Sequence, residues 1–387
     1  MKKSVIFPFA VALTLGFMAS CQNDDSDFSA YTLTGASTDD DDDDEAAVTD
    51  TIYIAFSGTR ATVSGDSRGV VSATGADVTV SDSVSSRGLV LVLGGSATDG
   101  SLLVYRSKKY TIQLNGVSLT NQDGPAINNQ CGKSLYVVCA EGTTSTLTDG
   151  PAYAERTYDQ KGTLFSEGQI YFSGAGTLVV NANSKNGIAS DDYITIDHPV
   201  TINVVTTQTG TNGVKANDGL FVNGGTLTVD VASDGGRGLR SEARTVIAGG
   251  TVTISTSGDC LIEEADGVRD TTSAACIKSD SLFTMSGGTL TMTSTGDGGK
   301  CIRCSENIEF SGGTLVAKTL GGNDVGKPKA LKSDKGIIVS GGSFTATVLK
   351  SWACDNGSES DDPVDHLTVV GTPSSAQIQK RSVVIVY

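Results

Sequence analysis

Aromatic side chains are scarce in this chain: of 387 residues only one is tryptophan, and Phe, Tyr and Trp together make up 6%. A sugar-stacking platform would want several exposed Trp or Tyr rings. The sequence shows only Trp352 and scattered tyrosines, so recognition by charge and hydrogen bonds is expected instead. Histidine occurs twice, at His198 and His366. The pair spaced as Cys301-Ile302-Arg303-Cys304 therefore lacks the further ligands a zinc site needs. A formal net charge of −16 comes with no basic block, which argues against nucleic acid as a partner. Behind the first twenty residues no stretch is apolar enough to span a membrane. Proline is rare (7) and glycine abundant (47), and with the many Thr, Ser and Val residues this favours short strands and corners over helices.

What is present begins with Met1-Lys2-Lys3, an apolar run from Val5 to Met18, and Ala19-Ser20-Cys21. A short basic start, a brief apolar core and small residues describe a signal peptide over residues 1–20. The cysteine behind it resembles a bacterial lipobox, in which Cys21 becomes the lipidated first residue. Gln22-Asn23-Asp24-Asp25 resembles the surface-export signal of Bacteroidetes lipoproteins. The expectation is an outer-membrane, lipid-anchored protein facing the cell exterior, touching the membrane through that lipid only. Residues 21–50, with aspartates from Asp39 through Asp44, repel one another and bury nothing, so they read as a disordered tether.

From Leu164 to Phe344 one pattern returns every 24 to 25 residues, ending in a corner such as Gly224-Gly225-Thr226, Gly249-Gly250-Thr251 or Gly287-Gly288-Thr289. Successive corner residues Thr177, Thr201, Thr226, Thr251, Thr289, Thr314 and Ser343 are separated by 24, 25, 25, 38, 25 and 29 positions. The two longer steps read as coils with insertions. Such a period means a solenoid. Twelve or thirteen places before each corner stand Leu164, Ile188, Val214, Leu239, Ile277, Ile302 and Leu331. Two places further on stand Ser166, Ser190, Ala216, Ser241, Ser279, Cys304 and Ser333. Alternation along a strand sends both columns the same way, an apolar and a small column suited to a narrow interior. With no room for helical crossovers, the fold class is all-β: a single-stranded right-handed parallel β-helix. Its regular coils span residues 164–350, irregular β coils and a cap precede them over 51–163, and residues 351–387 form the other cap. A separate small β domain over 51–163 is the alternative.

Seven cysteines follow Cys21. An odd number leaves at least one thiol unpaired. Cys260 and Cys276 bracket the longer insertion, while Cys276 and Cys301 occupy one column of adjacent coils, and both pairings stay open.

The ordered set Thr111-Ile112-Gln113-Leu114-Asn115-Gly116-Val117, Gly124-Pro125-Ala126-Ile127, Leu147-Thr148-Asp149-Gly150, Gly174-Ala175-Gly176-Thr177-Leu178 and Asn186-Gly187-Ile188-Ala189-Ser190-Asp191-Asp192 resembles the carbohydrate-binding-domain family of secreted β-helix proteins. That family is related in fold to pectate lyases, and its studied example binds cellulose and polygalacturonate and carries calcium. The resemblance covers most of residues 51–350. It implies a polysaccharide partner and calcium, and other surface glycan-capture proteins as company. The insertion between Cys260 and Cys276, the loop from Gly321 to Lys327 and the cysteines depart from the pattern.

The outward columns hold the candidate chemistry. One place after the inward residue come Lys215, Arg240, Lys278, Arg303 and Lys332, a basic stripe over five coils. Three places after it come Glu167, Asp191, Asn217, Glu242, Asp280, Ser305 and Asp334, a mostly acidic one. Either the stripes neutralise each other, or the basic one meets sugar hydroxyls and uronate carboxylates while Asp191, Asp192, Asn217, Asp218 and Glu242 hold Ca²⁺. Glu263 to Asp270 and Asp355 to Asp362 are further acidic candidates. The expected function is non-catalytic binding of acidic or cellulose-like glycans. The rivals are a calcium-dependent lyase with Lys215, Lys278 or Lys332 as base, a hydrolase pairing Asp191, Asp192 and Asp218, and an adhesive stalk.

Overall fold

The computed structural model describes residues 48–83, 87–265 and 268–387. The leader, Cys21 and nearly all of the tether fall outside those residues. Each coil contributes strands to a 12-stranded and a 24-stranded sheet, and coils stack in parallel register. The register follows the sequence columns: Ile127, Leu164, Ile188, Val214, Leu239, Ile277, Ile302, Leu331 and Cys354 pair one above the other in the 12-stranded sheet. Every one of these side chains is buried, and so is the small column from Ser166 to Ser333. The hydroxyls of the small column bond to backbone carbonyls, as Ser166 Oγ donates to Gly168 O (2.6 Å) and Ser333 Oγ to Glu306 O (2.6 Å). A small polar side chain thus fits a narrow interior because its hydroxyl is satisfied at once.

The corners explain the glycines. Gly250 has φ +78°, a region that disfavours side chains, and a Cβ there would stand 2.6 Å from the carbonyl oxygen of Gly224 in the coil below. The corner residues Thr177, Thr201, Thr226, Thr251, Thr289, Thr314 and Ser343 pair in order, the longer steps included. The 38-residue step is absorbed by an antiparallel hairpin, Leu261–Ala265 with Val268–Thr272, which belongs to neither main sheet.

Strands before residue 163 run into the same sheets: Gly88–Ala97, Tyr110–Leu114, Leu135–Cys139 and Ile170–Ser173 are successive parallel neighbours. At the front, Thr49–Gly58 folds back on Arg60–Ser64 antiparallel. At the back, Ser375–Gln379 and Ser382–Val386 form a hairpin laid antiparallel on Ser343–Val348. Both reversals stop the parallel stack, which otherwise offers an open edge. All seven cysteines after Cys21 are buried thiols, so neither proposed disulfide forms. Cys276 and Cys301 do sit in one column, but each Sγ is directed at backbone carbonyls, Thr293 O (3.5 Å) and Lys318 O (3.3 Å).

Truncating the inward column should be costly. Ile277→Ala is expected to remove about 2–5 kcal/mol and lower the thermal midpoint, whereas Lys278→Ala one place along the strand should shift it far less. Calorimetry on the two variants checks this.

Candidate functional site

The 12-stranded sheet carries the charged stripes on its outer face. Phe165, Ala189, Lys215, Arg240, Lys278, Arg303, Lys332 and Asp355 stack in strand register. The acidic residues occupy the bend where each strand leaves the sheet, and their backbone amides keep the ladder going: Asp191 N donates to Ser166 O, Glu242 N to Ala216 O and Asp334 N to Cys304 O. Each cation reaches a carboxylate, most often one coil further on. Lys215 meets Glu242 (3.0 Å), Arg240 and Lys278 both meet Asp280 (2.9 Å for Lys278), Arg303 meets Asp334 (2.6 Å), and Lys332 meets Asp355 (3.1 Å). The stripes therefore neutralise each other along the whole face. Burial alone would raise Asp355, but Lys329, the Gly357 amide and Lys332 hold it down at about 2.

The five carboxylate and amide residues expected around a metal are only partly gathered. Asn217 Nδ2 donates to Asp191 Oδ1 (3.4 Å), and Asp218 N donates to Asp192 O (3.2 Å). Glu242 is engaged by Lys215. Among the described residues, the acidic groups close enough to share one ion are Asp159, Glu167 and Asp191, and of these only Asp191 belongs to the expected set. Lys161 sits among them, 2.6 Å from Asp159 and 2.5 Å from Asp191. Burial, then the Asp191 charge, pushes the Glu167 carboxyl above its ordinary value. Lys161 and Asp159 belong to the irregular segment before the regular coils, which is why a column count did not find them. Glu263 and Glu264 are exposed on the inserted hairpin, while Asp266 lies outside the described residues.

Four of the aromatic residues lie together. On the adjoining sheet, inward Leu135, Val137, Ile170, Phe172, Ile194, Leu220 and Val222 leave Tyr136, Tyr171, Tyr193 and Phe221 on the outer side. Their rings form one row, with centroids 5.0, 5.6 and 5.9 Å apart in that order, and Arg244 ends it with its guanidinium 5.1 Å from the Phe221 centroid. The signal was present in Leu135-Tyr136-Val137, Ile170-Tyr171-Phe172 and Leu220-Phe221-Val222, an aromatic between two inward apolars. An open hollow of ≈ 540 Å³ lies over the corners at His198, Asn223 and Thr251.

The two departures from the period meet at one place. Cys260 Sγ, at the root of the hairpin, lies against Gly298 and Gly326, where a Cβ would stand 2.5 and 2.7 Å from the sulfur. Lys300 Nζ donates there to Ser273 Oγ (2.5 Å) and to Gly298 O (3.2 Å), and burial pulls its ammonium down to about 8.

These features define a parallel β-solenoid with a flat, repeating, polar outer face. A family model described as carbohydrate-binding domain-containing protein matches residues 74–348, and the chain belongs to that family. A carbohydrate-binding domain-containing protein of Acetivibrio thermocellus is 32% identical over 107 residues, 26% of this chain and 37% of that relative, so the match spans little more than a third of the relative's length. A polysaccharide lyase-like protein from C. thermocellum, solved as a gadolinium derivative, superimposes with a TM-score of 0.55 at 21% identity, over 67% of this chain and 97% of its own. That likeness shows the fold.

The Lys300 environment has a measurable consequence. The unfolded chain keeps the lysine protonated to about pH 10.4, whereas the folded chain releases that proton near 8. Between those values the unfolded state binds more protons, so this group makes stability rise with pH. Lys300→Met should flatten the rise, and denaturant midpoints from pH 7.5 to 10.5 for both proteins check it.

Proposed function

We propose that the chain is a non-catalytic polysaccharide-binding lipoprotein of the outer membrane, anchored through Cys21 and facing the cell exterior, that retains acidic polyuronate or cellulose-like glycans with calcium. The observation that carries the reading is the repetition on the charged face: five successive cations, each held by a carboxylate, with Asp280 serving both Arg240 and Lys278. An ion pair is a poor setting for a base, since it favours the charged form. It is a good setting for binding where the carboxylate is exposed, as at Glu242 and Asp334, because pairs of that kind contribute only about 0–1 kcal/mol each and can trade a carboxylate of the protein for one of a uronate. Family membership over residues 74–348 supports a glycan as the ligand. A repeating face also suits a repeating polymer, since weak contacts on successive coils act as linked sites.

Calcium has one arrangement in its favour. Asp159, Glu167 and Asp191 bring three carboxylates together. Calcium takes about six to eight oxygens, so these residues would hold part of a shell that glycan carboxylates and water complete. Lys161 already neutralises two of the three, and a metal must displace it.

Two experiments test the reading. The full chain is run on affinity gels containing polygalacturonate or soluble β-glucan, with Ca²⁺ or chelator, while absorbance from unsaturated products is followed. Retention without absorbance is expected, and Lys215→Ala, Lys278→Ala and Lys332→Ala combined should weaken retention on polygalacturonate about tenfold without lowering the midpoint by more than a few degrees. Rising absorbance would make the protein a lyase. The second experiment is calcium titration followed by thermal midpoint: Lys161→Gln should bind Ca²⁺ more tightly than the parent chain and Glu167→Gln more weakly. Identical midpoints with and without Ca²⁺ in all three would remove calcium from the site.

A further inference from the structure

The place where both departures from the period meet has the parts of a nucleophilic site. Ser273 follows the hairpin strand Val268–Thr272 and stands two residues before Ala275–Ser279, while Lys300 opens the next strand of that sheet, Lys300–Cys304. The backbone fixes one against the other, since Lys300 N donates to the carbonyl of Ala274 (3.0 Å), the residue next to Ser273. Lys300 Nζ reaches Ser273 Oγ at 2.5 Å and Gly298 O at 3.2 Å. The turn that carries the Gly298 carbonyl is held by Gly299 N on Gly296 O (3.2 Å) and by Gly298 N on Gly322 O (3.1 Å). Both side chains are half-buried.

The neighbouring coils mark the arrangement as special to this place. Lys329, the register partner of Lys300 one coil on, is held by the Asp355 carboxylate at 2.6 Å, and the partner one coil back is Ala275. One column thus carries a lysine in an ion pair and a lysine against a hydroxyl. Burial lowers the proton affinity of Lys300, Cys260 acts the other way, and the like charges of Arg303, Lys329 and Lys332 add to the lowering. A neutral amine has a lone pair to offer as well as N–H groups. With one N–H on Gly298 O, Lys300 in that form turns its lone pair to the Ser273 hydroxyl, which then donates: nucleophile, base and orienting acceptor in sequence.

We propose that Ser273 and Lys300 are a nucleophile–base pair that takes a short acyl group from an ester, an activity separate from the retention of glycans. Ser273 Oγ attacks the ester carbonyl carbon while its proton passes to Lys300 Nζ. The bond from that carbon to the alcohol oxygen breaks, the departing oxygen takes the proton from Lys300, and an acyl ester stays on Ser273. Water then repeats the two steps and leaves as the carboxylic acid, with the serine free again. A short group fits best because Cys260 Sγ, 3.7 Å from Ser273 Oγ, already fills the space that Gly298 and Gly326 leave.

The test follows release of p-nitrophenolate from p-nitrophenyl acetate by the full chain. The acetyl group is then mapped by peptide mass spectrometry before and after neutral hydroxylamine, which cleaves esters and spares the amides formed on surface lysines. A hydroxylamine-labile acetyl on the peptide holding Ser273 is expected. Ser273→Ala should lower that label at least tenfold, and Lys300→Met should slow its formation at least tenfold. In the parent chain the rate should climb to a plateau above about pH 8, as Lys300 loses its proton. Should Ser273→Ala lose its cooperative unfolding transition, Ser273→Cys carries the test, with a thioester expected at that position. Cys260→Ala should keep the label, which separates the serine from the neighbouring thiol. Acetyl found on amines alone, on Cys260 alone or nowhere would overturn the pair and leave glycan retention untouched. A label on Ser273 that forms as fast in Lys300→Met would overturn it also.

Discussion

Everything in this molecule depends on parallel, in-register stacking of coils. Neighbouring strands lie about 4.8 Å apart, so whatever one coil places at a position meets its own counterpart above and below. Apolar columns profit from this, and the interior becomes a continuous row from Ile127 to Leu331. Charged columns suffer from it, because like charges are brought close together. The chain's answer is to set a basic column beside an acidic one and let most cations reach forward by a coil, as Lys215 does to Glu242 and Arg303 to Asp334. The face is then locally neutral although the chain carries −16. Much of the excess lies elsewhere, in the acidic run from Asp39 to Asp44 and in the loops between strands.

Those loops obey the same rule by another route. Asp234 Oδ1 accepts the amide of Asp259 (2.8 Å), Asp259 Oδ1 accepts the amide of Asp297 (2.6 Å), and Asp297 in turn accepts the amides of Asp324, Val325 and Gly326. A carboxylate that bonds to the next coil's backbone is oriented away from its stacked twin and helps fix the register. Where the register must absorb extra residues, glycine does the work: Gly298 and Gly326 leave the space that Cys260 occupies beside Lys300. The lysine in that setting bonds to a hydroxyl and a carbonyl, and burial lowers its proton affinity.

The inward columns, the corners and the two charged stripes were legible in the sequence because each is a one-position periodicity, and periodicity is what stacking writes into a chain. What failed was whatever depended on side-chain reach or on breaks in the period. Asp191, Asp192, Asn217, Asp218 and Glu242 share a face, yet Glu242 extends toward Lys215, and Asp191 is drawn to Lys161, a residue outside the regular coils. Cys276 and Cys301 share a column and stay thiols, each in contact with the other and with a backbone carbonyl. The aromatic row escaped because the repeat was aligned on a column of the other sheet: Tyr136, Tyr171 and Phe221 stand in one register column with Thr195 between the last two, and Tyr193 joins from two places earlier on the Thr195 strand. Three of the ten tyrosines gather in this row and the others lie apart from it, with Tyr136 and Tyr171 buried.

The neutralising and the binding readings of the charged face are not rivals in physical terms. An exposed ion pair gains little because water screens it and two long side chains must be held still. In the proposed reading the same weakness makes the pair exchangeable: a uronate carboxylate approaching Lys215 would replace Glu242 at small net cost, and the released glutamate would be a free anion open to calcium. One such exchange would give negligible affinity. Repeated along the stripe against a polymer with a repeating charge, such exchanges would be linked, each raising the effective concentration for the next. Stacking thus forces charges into ladders and pairs them at little gain in stability, which leaves the face a row of spaced ion pairs.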